Sequence, residues 1–241
     1  MTSNTANRLI LVDAARGLAI VLMVGYHLAF DLSWFGLIET IEFNHHTGWL
    51  AFRAFIVASF LGISGVSLGW LSMRGINPAR YWTGVAKLAG ATFLVTIASL
   101  IVFPGSAIFF GVLHCLLLCR LVGVSVAGRP ALCLAMGAFI LLAGLFYSNP
   151  VFNTPGLQWI GFTTSRPITE DYVPVSPWMG VFFLGLGFAE QAGKLAVHVQ
   201  PRMKGRVWTS LEWSGRRSLL IYLAHQPVLF AILWVISRLV P

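Results

Sequence analysis

The chain has 241 residues, 57% hydrophobic and only 10% charged, with a mean hydropathy of +0.81. That composition describes a multi-span membrane protein and leaves no length for a separate soluble domain. The formal net charge of +8 would suggest a nucleic-acid partner in a soluble protein; in a membrane protein it is read as topology, and no nucleic acid is implied. The cysteines Cys115, Cys119 and Cys133 lie in apolar runs, which suits packing, and no Cys/His spacing of zinc type is present, so no metal is expected.

Apolar runs predict seven spans, at about 15–36, 49–72, 84–103, 107–123, 131–148, 177–195 and 217–238. A hydrocarbon core requires about 20 residues per helix, and the fourth and fifth runs are short by that measure. Asp13 and Arg16 interrupt the first run and no small-residue cleavage pattern follows it, so it reads as a retained helix rather than a signal peptide. The expected fold is all-α, a polytopic helix bundle forming a single transmembrane domain over residues 1–241.

Basic residues fall on alternate connections. Arg8 and Arg16 mark the amino end, Arg74, Arg80 and Lys87 the second connection, and Arg120 and Arg129 the fourth. Lys194, Arg202, Lys204, Arg206, Arg216 and Arg217 crowd the sixth. The other connections carry Glu39, Glu42, Glu170 and Asp171, with Arg166 as their basic residue. The positive-inside rule then puts the amino terminus in the cytoplasm and the carboxyl terminus outside, in a multi-pass inner-membrane protein.

Two outer loops follow, 34–48 and 149–176. The second holds Asn149-Pro150, Thr154-Pro155-Gly156 and the run from Asp171 to Trp178, a proline density that predicts an ordered, non-helical lid. Trp34, Phe35, Trp159 and Trp178 suit an interfacial belt. Gly62, Gly65 and Gly69, with Ser59, Ser64 and Ser67, give the second span a small-residue face for close helix packing.

Polar groups inside these runs are costly in lipid and need a reason. Arg16 and His27 lie eleven residues apart on the first span, which returns them to nearly the same helix face with a rise of ~16 Å. Arginine at the membrane edge and imidazole near the midplane suit a ligand with an anionic head and a reactive end deep in the bilayer. Asp31 follows His27 by one turn, a spacing that lets a carboxylate orient an imidazole as a general base. His114 lies in span four, His225 in span seven within Ala224-His225-Gln226-Pro227, and His45 and His46 adjoin just before span two. Each of these also has a plain reading, as a helix-bridging hydrogen bond or a solvated loop residue, and His198 reads only as solvated. Arg16, Arg80, Lys204, Arg206, Arg216 and Arg217 together suit a cytoplasmic pocket for a phosphorylated ligand, with lipid-headgroup contact as the competing role.

Val12-Asp13-Ala14-Ala15-Arg16-Gly17-Leu18-Ala19 and His27-Leu28-Ala29-Phe30-Asp31-Leu32 resemble the opening of bacterial DUF1624 proteins. These are similar to the catalytic region of heparan-alpha-glucosaminide N-acetyltransferase, and the Arg–His spacing resembles the wider transmembrane acyltransferase superfamily, including the acyltransferase 3 proteins. Gly111-Val112-Leu113-His114, Asp171-Tyr172-Val173-Pro174 with Pro177-Trp178, and the stretch from Gly215 to Pro227 extend the match over nearly the whole chain. The resemblance implies acetyl transfer from cytoplasmic acetyl-CoA to an acceptor across the bilayer, the amine or hydroxyl of a sugar, a cell-envelope glycan or a small molecule. A histidine that follows the first span in the family maps onto His45 or His46, whereas His27 stands where the family's human member has asparagine.

On that basis CoA phosphates are expected at Arg16, Arg216 and Arg217, with Arg80, Lys204, Arg206 and His225 also on the CoA side. His27, His45 or His46 is expected to deprotonate the acceptor, with Asp31 orienting the base. His114, Asp171, Tyr172 and Trp178 are assigned to the acceptor side, Tyr172 or His114 as an oxyanion donor. Two rival readings are b-type haem held by His27, His114 and His225, and a transporter or proton relay built on His27 and Asp31. The sequence is silent on oligomeric state and leaves a homo-oligomer open.

Overall fold

The computed structural model describes residues 9–43, 45–199 and 203–239, so Arg8 and Arg202 lie outside the described residues. The described residues are helical, with no strand: α1 (Ile10–Trp34), α2 (Thr47–Met73), α3 (Pro78–Val102), α4 (Val112–Val126), α5 (Pro130–Phe146), α6 (Val175–Gly187), α7 (Ala189–Val199), α8 (Arg206–Arg216) and α9 (Ser218–Leu239). By length and composition α1, α2, α3 and α9 can cross a membrane, while α4, α5 and α6 are shorter apolar helices. Large apolar side chains stand exposed on them, among them Phe93, Ile101, Phe139, Phe146 and Leu220. Water would penalise such surfaces and hydrocarbon does not.

The chain forms two compact units, one of residues 1–59 with 196–241 and one of residues 60–195. In the first unit α1 packs against α8 and α9. A Cβ on Gly17 would run into the Leu211 carbonyl, and one on Gly215 into the Asp13 carbonyl. Glycine at both places lets the backbones of α1 and α8 touch, the small-residue device of tightly crossed membrane helices. The loop after α1 folds back on it: the Ile41 amide donates to Ser33 Oγ at 2.9 Å. Tyr26 edges Phe43 and Trp49 at ring separations of 5.7 and 5.8 Å, and Phe43 meets Trp49 at 4.7 Å. Aromatic edge-to-face packing of this kind adds ~0.5–1.5 kcal/mol per pair beyond area burial.

In the second unit α6 is the core, with Phe182 and Phe183 fully buried. The glycine face of α2 meets it: a Cβ on Gly65 would strike the Phe182 carbonyl, and one on Gly69 the Ala189 side chain. On another side of α6, Gly180 and Gly137 bring the helix into backbone contact with α5. Cys115, Cys119 and Cys133 are buried free thiols.

Two predicted spans and one connection are redrawn. Helix α4 starts at Val112, not 107, because residues 106–110 pair instead with the segment ahead of α6. The run 177–195 is two helices, since α6 ends at Gly187 and the amphipathic α7, bearing Glu190 and Lys194, follows. The basic stretch beyond it, read as a bare connection, contains α8, whose sequence mixes polar residues with Val207, Trp208, Leu211 and Trp213 rather than forming an apolar run. The 149–176 loop, expected to be non-helical, carries two short 3-10 helices at Pro150–Asn153 and Gln158–Ile160, and α6 begins at Val175.

Candidate functional site

In the first unit α1 and α9 carry four polar side chains toward one another. Helical side chains lean toward the amino end of their helix, so the His27 ring covers the preceding turn. Its Nδ1 lies 2.9 Å from the Met23 carbonyl oxygen. A carbonyl only accepts, so Nδ1 carries the proton and Nε2 presents a lone pair. His225 is held in the same way, Nδ1 to the Tyr222 carbonyl at 2.5 Å. The two rings meet nearly edge-on with centroids 4.8 Å apart. His225 Nε2 is buried and has no hydrogen-bond partner.

One turn further along α1, Asp31 is fully buried. Gln226 Nε2 donates to both of its oxygens, at 2.9 and 3.2 Å. This corrects the expectation that Asp31 orients His27: the imidazole takes the carbonyl beneath it, and the carboxylate takes the amide from α9. The carboxylate also fixes the amide, because only its NH2 end can donate; Gln226 Oε1 then faces away, buried and unpartnered. Buried polar atoms without partners are few in native proteins, and two on successive residues mark this spot.

His27 and His225 are too close, and turned edge to face, to hold a macrocycle between them. His114 has both ring nitrogens engaged, by the Gly111 amide and by Thr96.

At the other end of α1, Arg16 donates to Asp13 Oδ1 at 2.8 Å, and Arg216 from α8 approaches Asp13 Oδ2 at 3.8 Å while bonding Glu212. The structure thus brings Arg16 and Arg216 together on one carboxylate, a partner the sequence reading passed over although Asp13 stands one turn before Arg16. The Arg217 guanidinium lies 4.5 Å over the Trp213 ring. Thr209, Ser210, Trp213 and Ser214 line an open hollow of about 390 Å³ along α8, and Lys204 and Arg206 are exposed at its start. The guanidinium groups of Arg16, Arg216 and Arg217 are donors of the kind that pair with phosphate.

His45 and His46 are exposed and, with Thr40, Ile41, Glu42 and Trp49, line an open hollow of about 540 Å³. Trp49 belongs also to the aromatic cluster around Tyr26, and Tyr26 edges His27 at 5.6 Å.

The second unit gathers His114, Asp171 and Tyr172. The Gly111 amide donates to His114 Nδ1 at 3.2 Å, and Nε2 pairs with Thr96 Oγ1 at 3.0 Å. Both ring nitrogens are engaged, so His114 offers no spare donor for an oxyanion; it caps α4. Asp171 Oδ2 accepts from the Val112 amide at 2.7 Å, an anion at a helix amino end. The Tyr172 hydroxyl donates to the Gln158 carbonyl at 2.7 Å, and burial pushes its phenol above the usual value. Trp178 is half-buried in the first turn of α6, and Arg80 is exposed at the start of α3, its amide capped by Asn77.

A family model described as heparan-alpha-glucosaminide N-acetyltransferase, catalytic, matches residues 8–227. No curated protein and no solved structure matches the chain.

Proposed function

The chain belongs to the heparan-alpha-glucosaminide N-acetyltransferase catalytic family, and from that premise we propose that it transfers an acetyl group from cytoplasmic acetyl-CoA to the amine or hydroxyl of an extracytoplasmic glycan or small-molecule acceptor. The protein is a membrane acetyltransferase by family and carries helices that suit a bilayer. The finer reading has one transmembrane domain, seven crossings of the inner membrane and a cytoplasmic amino terminus.

The observation that carries it is the imidazole pair: His27 and His225 each have Nδ1 tied to a backbone carbonyl, which leaves Nε2 as base. Acetyl-CoA supplies the acetyl group as a thioester. Arg16 and Arg216, together with Arg217, Lys204 and Arg206, hold phosphate at the face of α8, some 16 Å along α1 from His27. His27 Nε2 removes a proton from the acceptor nitrogen or oxygen as that atom bonds the acetyl carbon. The carbon–sulfur bond breaks, and the proton passes to the departing thiolate. His45, His46, Glu42 and Trp49 contribute the acceptor's entry hollow. Arg80, Asp171, Tyr172 and Trp178 complete the domain, Asp171 and Tyr172 by anchoring the lid.

The test is acetyl transfer by purified protein in lipid, with CoA binding measured in parallel. General-base help is worth roughly 10²–10⁴ in rate, so His27→Ala should lose about that factor in turnover while CoA binding persists. Wild-type turnover in His27→Ala would remove His27 from the mechanism, and absence of CoA binding in the wild type would remove the enzyme reading.

A further inference from the structure

Asp13 has no part in the proton transfer just described, yet two helices converge on its carboxylate. Arg16, one turn further along α1, donates to Oδ1 through Nη1 at 2.8 Å. Arg216 of α8 approaches Oδ2 through Nε at 3.8 Å. Asp13 is itself buried, and its carbonyl stands where a Cβ on Gly215 would fall. The backbones of α1 and α8 therefore meet at the residue whose side chain joins the two cations. Glu212 also holds Arg216, but from one turn earlier on the same helix, so that bond does not link α8 to α1.

Two guanidinium groups that serve one anionic ligand repel each other while the ligand is absent. A carboxylate between them offsets that repulsion and fixes both side chains before the ligand arrives. A guanidinium has five N–H donors, so it can serve a carboxylate and a phosphate together. We propose that Asp13 is a positioning residue: it sets the spacing of Arg16 and Arg216 across the α1–α8 contact, so that both meet the phosphates of the acyl donor without being ordered anew. This rests on the CoA site proposed above and adds to it a residue that touches no ligand atom. By charge alone a buried acid is a poor neighbour for phosphate. Its value lies in pre-organisation, because immobilising long side chains at the moment of binding costs affinity.

The experiment measures the dissociation constant of CoA and the ligand-free melting temperature, on full-length protein in lipid. Asp13→Asn should weaken CoA binding by roughly tenfold, which is what ordering two arginine side chains on binding costs. The same substitution in an Arg216→Gln background should cost less than about threefold, because one cation is gone and no spacing is left to set. A mere brace between helices would show the reverse, a lower melting temperature with the CoA affinity of the folded protein kept. Where Asp13→Asn fails to fold, Asp13→Glu keeps the charge and displaces it by one methylene, and it should weaken CoA severalfold with the same dependence on Arg216. Unchanged CoA affinity in the folded Asp13 variants, or a loss that persists in full in the Arg216→Gln background, overturns the assignment of Asp13 alone. Wild-type protein that does not bind CoA overturns the donor site and this inference with it.

Discussion

His114 and His225 are the same side chain on two apolar helices, and their surroundings diverge. His114 has both nitrogens satisfied, one by the Gly111 amide and one by Thr96. His225 has one nitrogen on a carbonyl and the other buried without a partner, against a second imidazole. A satisfied histidine stabilises a helix start; an unsatisfied one costs stability and retains reactivity. The contrast separates a structural imidazole from a chemical one without appeal to position in the sequence.

That contrast breaks first at His225. His225→Phe keeps an aromatic ring, slightly larger, and removes the unpaired nitrogen together with the Tyr222 bond, so melting should change little while turnover falls by about 10²-fold as the imidazole beside His27 is lost. Unchanged turnover would make His225 a bystander.

A second test concerns the frame that sets α1 against α8. Gly17→Ala and Gly215→Ala each drive a Cβ into opposing backbone, and overpacking of this kind costs about 1–3 kcal/mol. Both should lower the melting temperature and weaken CoA binding by parting Arg16 from Arg216; equal effects at an exposed glycine such as Gly84 would remove the argument.

His114→Ala should show the opposite signature to His225→Phe. Loss of a cap costs about 1 kcal/mol, seen as a lower melting temperature, with kcat on the remaining folded protein near wild type. A large fall in kcat would return His114 to the acceptor site. Smallest is Asp171→Asn, which removes a charge at the amino end of α4 but keeps an acceptor; about 0.3–1 kcal/mol of stability should go, measured by thermal melting in low salt.

Much of this was legible in the chain. The 3.6-residue period alone puts Arg16 and His27 on one face of a single helix, and α1 runs unbroken through both. The glycines of α2 were recognisable as a packing face because only small side chains permit backbone approach, and their contacts with α6 follow. The prolines of 149–176 likewise kept any long helix out of that segment, because proline lacks the amide a helix interior needs. The span ends were less so: the start of α4 depends on Asp171, and local sequence carries no sign of a cap 59 residues away. A helix break at Phe188 was obscured by the apolar residues around it.

The sequence by itself determined the membrane class, the helical fold, the line from Arg16 to His27 and the list of costly polar side chains, because hydropathy and helical period are local properties. Only the tertiary structure decided the partners. Asp31, one turn from His27, bonds Gln226 on α9; Arg16 meets Arg216 through Asp13; His114 spends itself on a cap and His225 does not. Hydrogen bonds are short and directional, so which polar groups find each other depends on how helices far apart in sequence are packed. Buried atoms without a partner, His225 Nε2 and Gln226 Oε1 among them, could be recognised only once that packing was known.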